Sequence, residues 1–241
     1  MRTREIIACC LLASAALSSV TAKSRNTVPA TLSRIAEVNM GLAQSYLESN
    51  SLEDALDRAK RAVAADPNFG ETHAVLGMVY SRIGDAVNAG KEFDAALKLS
   101  PSSGSILNAH AAWLCEQGQF DKADNEFRQA IADPFYPNLA QANFNAGKCA
   151  QKASRWVPAE SYLRIALNAA PLDPRVLQAL AQVKLAQGQW LEARAFVQRL
   201  LSVDVSAEAF ELAARIEDGA GDRVAAARYR QQLSLMLPQQ P

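Results

Sequence analysis

The chain has 241 residues and carries 25 Lys and Arg against 25 Asp and Glu, so its formal net charge is zero. A nucleic-acid-binding protein needs a basic excess to displace counterions from phosphates, and this balance argues against that class. With 49% hydrophobic but only 7% aromatic residues, the composition favours closely packed helices over disorder or a sheet of β-branched strands.

The N-terminus has the pattern of a secretory signal peptide. A short basic segment, residues 1–5, precedes an apolar stretch over residues 6–20, which is shorter than the roughly 20 residues of a membrane-spanning helix. Val20 and Ala22 then supply the small residues of a cleavage site. An uncleaved N-terminal anchor is the alternative. Val20 also stands where a lipoprotein leader would have its acylated Cys, so this leader does not support a lipid anchor.

The rest of the sequence repeats itself about every 34 residues. Tyr46 recurs as Tyr80, and Gly84 recurs as Gly118, each within a similar run of small and apolar positions. This is the pattern of the tetratricopeptide repeat, in which two helices and two turns form one unit. It predicts an all-α fold, a right-handed superhelix (α-solenoid) of about six helix–turn–helix repeats. The predicted organisation is a signal peptide (1–22), a linker (23–35) and repeats at 36–69, 70–103, 104–137, 140–173, 174–206 and 207–240.

Several positions within the repeats carry their own structural predictions. Glycines follow the first helix of four repeats, where the backbone needs a positive φ: Gly84, Gly118, Gly188 and Gly221. Repeat four is displaced by two extra residues, which fall in the proline-flanked segment 133–137. Repeats five and six are degenerate, because Lys184 and Glu217 stand where an aromatic residue is usual.

The first helix of each repeat is expected to line a concave groove. Its inward positions mix apolar and polar side chains, which favours binding of a peptide or protein segment. The alternative is that Met40 or Phe144 packs internally and the groove is merely solvated. The predicted partner-binding residues are Glu37, Met40, Gln44, Leu47, Glu71, Met78, Arg82, Asn108, Phe144 and Lys148.

The sequence offers no catalytic constellation, so no catalytic residue, metal site or cofactor is predicted and the protein is not expected to be an enzyme. Residues 84–92 have five residues between their glycines, and Glu92 replaces the Ser or Thr that a phosphate-binding loop requires. The two histidines, His73 and His110, fall at positions that normally pack. With so few His and no clustered Cys, a zinc site is not expected.

Two cysteines remain after the leader, Cys115 and Cys149. They lie on the first helices of repeats three and four, which should be adjacent. Export to an oxidising compartment would allow them to form a disulfide. Two buried free thiols are the alternative that the spacing leaves open.

Four segments resemble the type IV pilus biogenesis and stability proteins called PilF or PilW. They are residues 39–47 (NMGLAQSYL), 111–118 (AAWLCEQG), 134–137 (PFYP) and 145–149 (NAGKC). The leader, the six repeats and the C-terminal stop extend the resemblance over essentially the whole chain.

The resemblance implies a periplasmic protein, located at the inner face of the outer membrane, and a disulfide between Cys115 and Cys149. It implies a non-catalytic adaptor, a pilotin that helps the outer-membrane secretin to localise and form its ring or that stabilises pili. Relatives are usually lipid-tethered, but Val20 breaks that pattern. The chain is therefore either soluble in the periplasm or brought to the membrane by partners. A general periplasmic scaffold or chaperone-like module for another envelope complex is the alternative function.

Overall fold

The structure is a computed structural model that describes residues 30–236, and these residues form twelve α-helices arranged as six antiparallel pairs. The first helices of the pairs are α1 (Ala30–Glu48), α3 (Gly70–Ile83), α5 (Gly104–Glu116), α7 (Leu139–Lys152), α9 (Pro174–Ala186) and α11 (Ala207–Gly219). The second helices are α2 (Leu52–Ala65), α4 (Ala86–Leu99), α6 (Phe120–Ala132), α8 (Trp156–Ala169), α10 (Trp190–Leu201) and α12 (Arg223–Met236). The predicted signal peptide and Pro238 lie outside the described residues.

The turn inside each pair uses a residue in the left-handed conformation. Gly84, Gly118, Gly188 and Gly221 all have positive φ, between 71° and 91°, which confirms the prediction made for these glycines. Asn50 and Ser154 occupy the same position in repeats one and four, with φ of 57° and 56°. The left-handed turn reverses the chain and starts the second helix two residues later.

Small residues allow the two helices of a pair to cross closely. Ala43, Ala111 and Ala181 are fully buried at the crossing. At Gly147, an added Cβ would lie 2.6 Å from Cγ of Leu163, which is closer than carbon atoms can approach. These positions confirm that the crossing excludes larger side chains in both glycine-bearing and alanine-bearing repeats.

The pairs stack into a superhelix with a defined inner side. Each second helix contacts the first helix of the next pair, and successive first helices also contact one another. The backbones of successive second helices stay further apart among the described residues, and long side chains such as Tyr162 of α8 bridge them, here to Asp124 of α6. The first helices therefore lie on the concave side, as the repeat pattern predicts. Over the same residues, no helix is both long and apolar enough to cross a membrane.

Helix α1 begins at Ala30, so the predicted linker over residues 23–35 is wrong in its second half. The extra turns at residues 30–35 contact repeat one, because the Ser33 hydroxyl donates a 3.0 Å hydrogen bond to the Asp66 carboxylate. Repeat one therefore starts before residue 36. The 34-residue template has no position for this extension, and sequence periodicity alone could not reveal it.

Ion pairs replace the aromatic residue in the two degenerate repeats. Lys184 is only 3% exposed, and its Nζ lies 2.7 Å from a Glu160 carboxylate oxygen and 3.0 Å from one of Glu192. In repeat six the buried Glu217 accepts two hydrogen bonds from Arg194. Because each buried charge has an oppositely charged partner, these positions stay in the interior without an unpaired charge.

Removing the Lys184 ammonium should leave Glu160 and Glu192 with only the half-exposed Arg164 guanidinium between them. We expect Lys184→Ala to lower the free energy of unfolding by about 2 kcal/mol, below the usual range for buried pairs because Glu192 is largely exposed. Lys184→Met, which keeps most of the side-chain volume, is the matched comparison and separates the packing loss from the charge loss. Urea unfolding followed by circular dichroism measures both, and unchanged stability in Lys184→Met would show that the ammonium contributes nothing.

The same cluster predicts a stability change in acid. Burial acts to raise the pKa of Glu160, but hydrogen bonds and charge attraction from Lys184 and Arg164 outweigh it, and the pKa lies below its usual value. The resulting stabilisation is fully present above the unfolded-state pKa of about 4.3 and is lost as the pH falls through the lower folded-state pKa. Between about pH 5 and 3, Glu160→Gln should therefore lose less stability than the parent chain. The free energy of unfolding is measured by urea titration at each pH. An equal pH dependence for Glu160→Gln and the parent chain would contradict this assignment.

Candidate protein-binding groove

A cavity of about 570 Å³ lies on the concave side, between the first helices of repeats one to four. Leu47 and Met78 supply apolar surface from α1 and α3, whereas α5 and α7 supply three carboxamides together with Ser and Ala residues. Glu48 and Arg82 add one charge of each sign. The lining is therefore mostly uncharged and rich in groups that can both donate and accept hydrogen bonds.

The carboxamides of α5 and α7 form a connected row across the groove. Asn145 donates a 3.1 Å hydrogen bond to Asn108, and Gln141 donates a 2.8 Å bond to Asn145. Further along the chain, Gln151 on α7 donates a 3.0 Å bond to Gln182 on α9. Each amide holds its neighbour in place yet retains further donor and acceptor capacity, which suits it to bind the backbone of an extended peptide.

A second cavity, of about 350 Å³, adjoins the first and shares Ala112 and Asn145 with it. Phe127, Phe144 and the two cysteines line it. The structure joins Cys115 and Cys149 as a disulfide whose Cα atoms are 5.8 Å apart. The bond links α5 to α7 in the wall of the smaller cavity, and each cysteine is about one helical turn from a residue that the two cavities share.

Basic side chains lie at the rim of this second cavity. Burial lowers the pKa of Lys148, which donates a 3.1 Å hydrogen bond to Gln151. Lys152 pairs with Glu116 at 2.8 Å across the mouth. The Arg175 guanidinium lies 5.1 Å from the centre of the Phe144 ring, which is a cation–π distance. A ligand in this cavity would meet apolar surface below and cations at the edge.

The structure brings together only part of the predicted groove. Gln44, Leu47, Met78, Arg82 and Asn108 line the larger cavity. Phe144 and Lys148 line the smaller one.

The remaining predicted positions lie elsewhere. Glu37 and Met40 line neither cavity, and Met40 packs against the core of repeats one and two, as the alternative interpretation held. Glu71 lies at the edge of the superhelix, where it accepts a hydrogen bond from Ser103. Leu47 is only 7% exposed and belongs to the core as well as to the groove floor. A substitution of Leu47 would therefore affect both the stability of the fold and binding in the groove, and could not separate the two.

Asn145 and Tyr136 are two of the groove residues that sequence reasoning missed; Ser105, Ala109 and Asn138 are others. Asn145 follows Gln141 by one helical turn, so periodicity along α7 could have found it. Tyr136 is buried against Gly104 in the loop that carries the two extra residues. No repeat template has a place for this residue, and only the packing of the loop shows that it lines the groove.

The histidines have packing partners of their own. His73 and His110 lie 2.7 Å from Glu92 and Glu126, each on the second helix of the same pair. Within residues 30–236, no three His, Cys, Asp or Glu side chains come together as metal ligands would. These pairs join the two helices of a hairpin.

Comparison with known proteins agrees with this architecture. Residues 40–104 match the tetratricopeptide repeat family. A protein of unassigned function from Haemophilus influenzae is 30% identical over 120 residues, which is 50% of this chain and 67% of that protein. The type IV pilus assembly protein PilF of Pseudomonas aeruginosa is 24% identical over 206 residues, covering 85% of this chain and 81% of PilF. The chain is a tetratricopeptide-repeat protein homologous to PilF.

The solved structures extend this relationship. The crystal structure of PilW, a type IV pilus biogenesis factor, superimposes with a TM-score of 0.79 and 27% identity. The match covers 86% of this chain and 96% of PilW. Homology to PilF and the structural match to PilW support a tetratricopeptide-repeat protein of type IV pilus biogenesis. Proteins with this fold generally act by binding other proteins, so the groove is the feature that bears on function.

Whether the disulfide forms in the exported protein can be tested directly. We expect no free thiol when the denatured, unreduced protein is labelled with a thiol reagent, and two after reduction. The two cysteines are 34 residues apart, and chain entropy for a loop of that length gives a stabilisation of about 4 kcal/mol. The double variant Cys115→Ser, Cys149→Ser should lose a comparable amount, and reduction should leave its stability unchanged. Two free thiols in the unreduced protein would show that no bond forms.

Proposed function

We propose that the chain is a non-catalytic adaptor of type IV pilus biogenesis that holds an extended segment of a client protein in the groove. The observation that carries the proposal is the row of carboxamides beside the apolar surface of Leu47 and Met78. Carboxamides pair with peptide N–H and C=O groups whatever the side chains, while the apolar floor selects aliphatic or aromatic residues. Together they favour an extended, partly apolar peptide over a small molecule.

We further propose that the client is the outer-membrane secretin and that the chain acts as a pilotin in the periplasm, at the inner face of the outer membrane. The homology to PilF supports the pilus assignment, and the leader pattern at residues 1–22 supports export. Because Val20 replaces a lipobox Cys, we propose that the chain reaches the membrane through its client.

An affinity capture from envelope extract tests the client. The chain is exported with its own leader, purified through a C-terminal tag and used as bait, and the retained proteins are identified by mass spectrometry. Recovery of the secretin is the expected result. Recovery of other envelope proteins without any pilus component would contradict the pilus assignment and favour a general periplasmic scaffold.

Substitution in the groove should weaken capture without unfolding the chain. Met78 is more than a third exposed at the centre of the larger cavity, so Met78→Lys places a charge where we expect an apolar client side chain. Loss of one such contact typically costs about 2 kcal/mol, which is roughly a 30-fold loss of affinity.

The matched control is Val87→Lys, because Val87 is an exposed aliphatic residue on α4 that lines neither cavity. It should bind the client like the parent chain. Titration of the captured client against each variant measures affinity, and helical circular dichroism confirms folding. Equal affinity for Met78→Lys and the parent chain would exclude this groove as the binding site.

A further inference from the structure

The outer side of α1, which points away from α2 and α3, is an apolar surface without a neighbour in the part of the chain that the structure describes. Ile35, Val38 and Leu42 lie along it and are 48%, 56% and 38% exposed. Thr31, Ser45 and Ser49 continue the same line, so the spacing alternates between three and four residues over the whole helix. This spacing is that of the seam along which two helices pack against each other.

The repeat itself shows that this surface is normally covered. The position of Val38 is buried in every later repeat, at most 2% exposed, where it is occupied by Thr72, Ile106, Ala142, Val176 and Ala209. The position of Leu42 is likewise at most 8% exposed, in Leu76, His110, Ala146, Leu180 and Ala213. In each case the preceding pair supplies the covering helices. Repeat one has the packing residues, but within residues 30–236 no pair precedes it.

At the opposite end of the superhelix, α12 carries polar residues at positions that are apolar and buried in the earlier repeats. The position of Arg230 on α12 is held in earlier repeats by Ala59, Phe93, Phe127, Leu163 and Val197, all of them buried. Arg230 is exposed and pairs with Asp218 of α11. Ser234 similarly replaces the partly buried Leu201. A terminal repeat needs such a polar outer face to remain soluble. Of the two terminal helices that the structure describes, α12 has polar residues at these positions and α1 does not.

The polar face of α12 would be a poor cover for the apolar face of α1, which disfavours head-to-tail stacking of copies. If the leader is removed after Ala22, only seven residues precede α1, and Val28 is the one large aliphatic residue among them. That segment is too short and too polar to replace a covering helix. A second α1 has the required chemistry, since its seam is apolar at Ile35, Val38 and Leu42 and uncharged from Thr31 to Ser49.

Charges beside the seam specify the direction of pairing. Arg34 and Glu48 lie on the same flank, near opposite ends of α1. In an antiparallel pair related by a two-fold axis, like flanks meet, so Arg34 of each copy faces Glu48 of the other. A parallel pair would lose this match. Two-fold pairing also closes the assembly at two copies, because each copy uses the outer face of its α1 and the described residues offer no second face of this kind.

We propose that the outer face of α1 is a homodimer interface, in which α1 of a second copy packs antiparallel across Ile35, Val38 and Leu42. Ile35, Val38 and Leu42 line neither cavity, although Glu48 beside them also reaches the groove, and the proposal does not depend on the identity of the client. The dimer would place the two grooves on either side of the two-fold axis.

Sedimentation equilibrium over a concentration series of the exported chain tests the proposal. We expect a monomer–dimer equilibrium, weakened at least tenfold by Val38→Glu, which would bury a charge from each copy in the apolar seam, close to the axis. Val87→Glu, an exposed valine on α4, is the matched control and should dimerise like the parent chain. Both substitutions are at exposed positions, so unchanged circular dichroism keeps the comparison valid. A monomer at all concentrations, or a dimer unaffected by Val38→Glu, would overturn the proposal.

Cross-linking tests the direction of the helices. A tagged Val38→Cys variant is mixed with an untagged Leu42→Cys variant and treated with a short bismaleimide. The antiparallel seam predicts that mixed pairs form faster than either like pair, and Val87→Cys should not cross-link at all. Faster Val38→Cys like pairs would overturn the antiparallel arrangement. Binding of a monomer to phospholipid vesicles or to a client through this face, abolished by Val38→Glu, would overturn the assignment of a second copy as the occupant.

Discussion

The structure depends on one constraint, which is that no helical hairpin can bury its apolar surface alone. Each pair in residues 30–236 covers the surface left by the pair before it, and each second helix contacts the next first helix. Stability in such an array is a sum of hairpin terms and neighbour terms. Small residues at the crossings, such as Gly147 against Leu163, set the distance at which this packing is achieved. The concave groove is a geometric result of the same rule, because only the first helices contact one another along the inner side.

Much of this architecture is readable from the sequence, for a clear physical reason. Positions that require a positive φ or a missing side chain admit few residue types, so Gly84 and Gly147 leave a periodic signal. The signal fails where the repeat is broken. The first turns of α1 at residues 30–35 precede the periodic region, and Tyr136 lies in the loop with two extra residues. Lys184 and Glu217 look degenerate because their partners are distant in sequence and only the fold brings the charges together.

The groove was less predictable than the fold. Helical periodicity places a residue on a face but does not say whether neighbouring helices leave that face open. Met40 and Gln44 are one turn apart on α1, yet Met40 packs into the core and Gln44 reaches the cavity. The carboxamide row depends on the lateral distance between α5 and α7, a quantity that the sequence of either helix does not contain. Knowledge of the groove's chemistry therefore required the packed structure.

The disulfide between Cys115 and Cys149 has a further consequence for the dynamics of the superhelix. An array held together by nearest neighbours opens from its ends, since a terminal hairpin has one interface to break and an internal hairpin has two. A covalent bond between the third and fourth pairs divides the array into two halves of three hairpins. Opening from either end would stop at the bond, so amide protons beside it should exchange most slowly with solvent. The part of the groove where the two cavities meet would then keep its shape while both ends fluctuate.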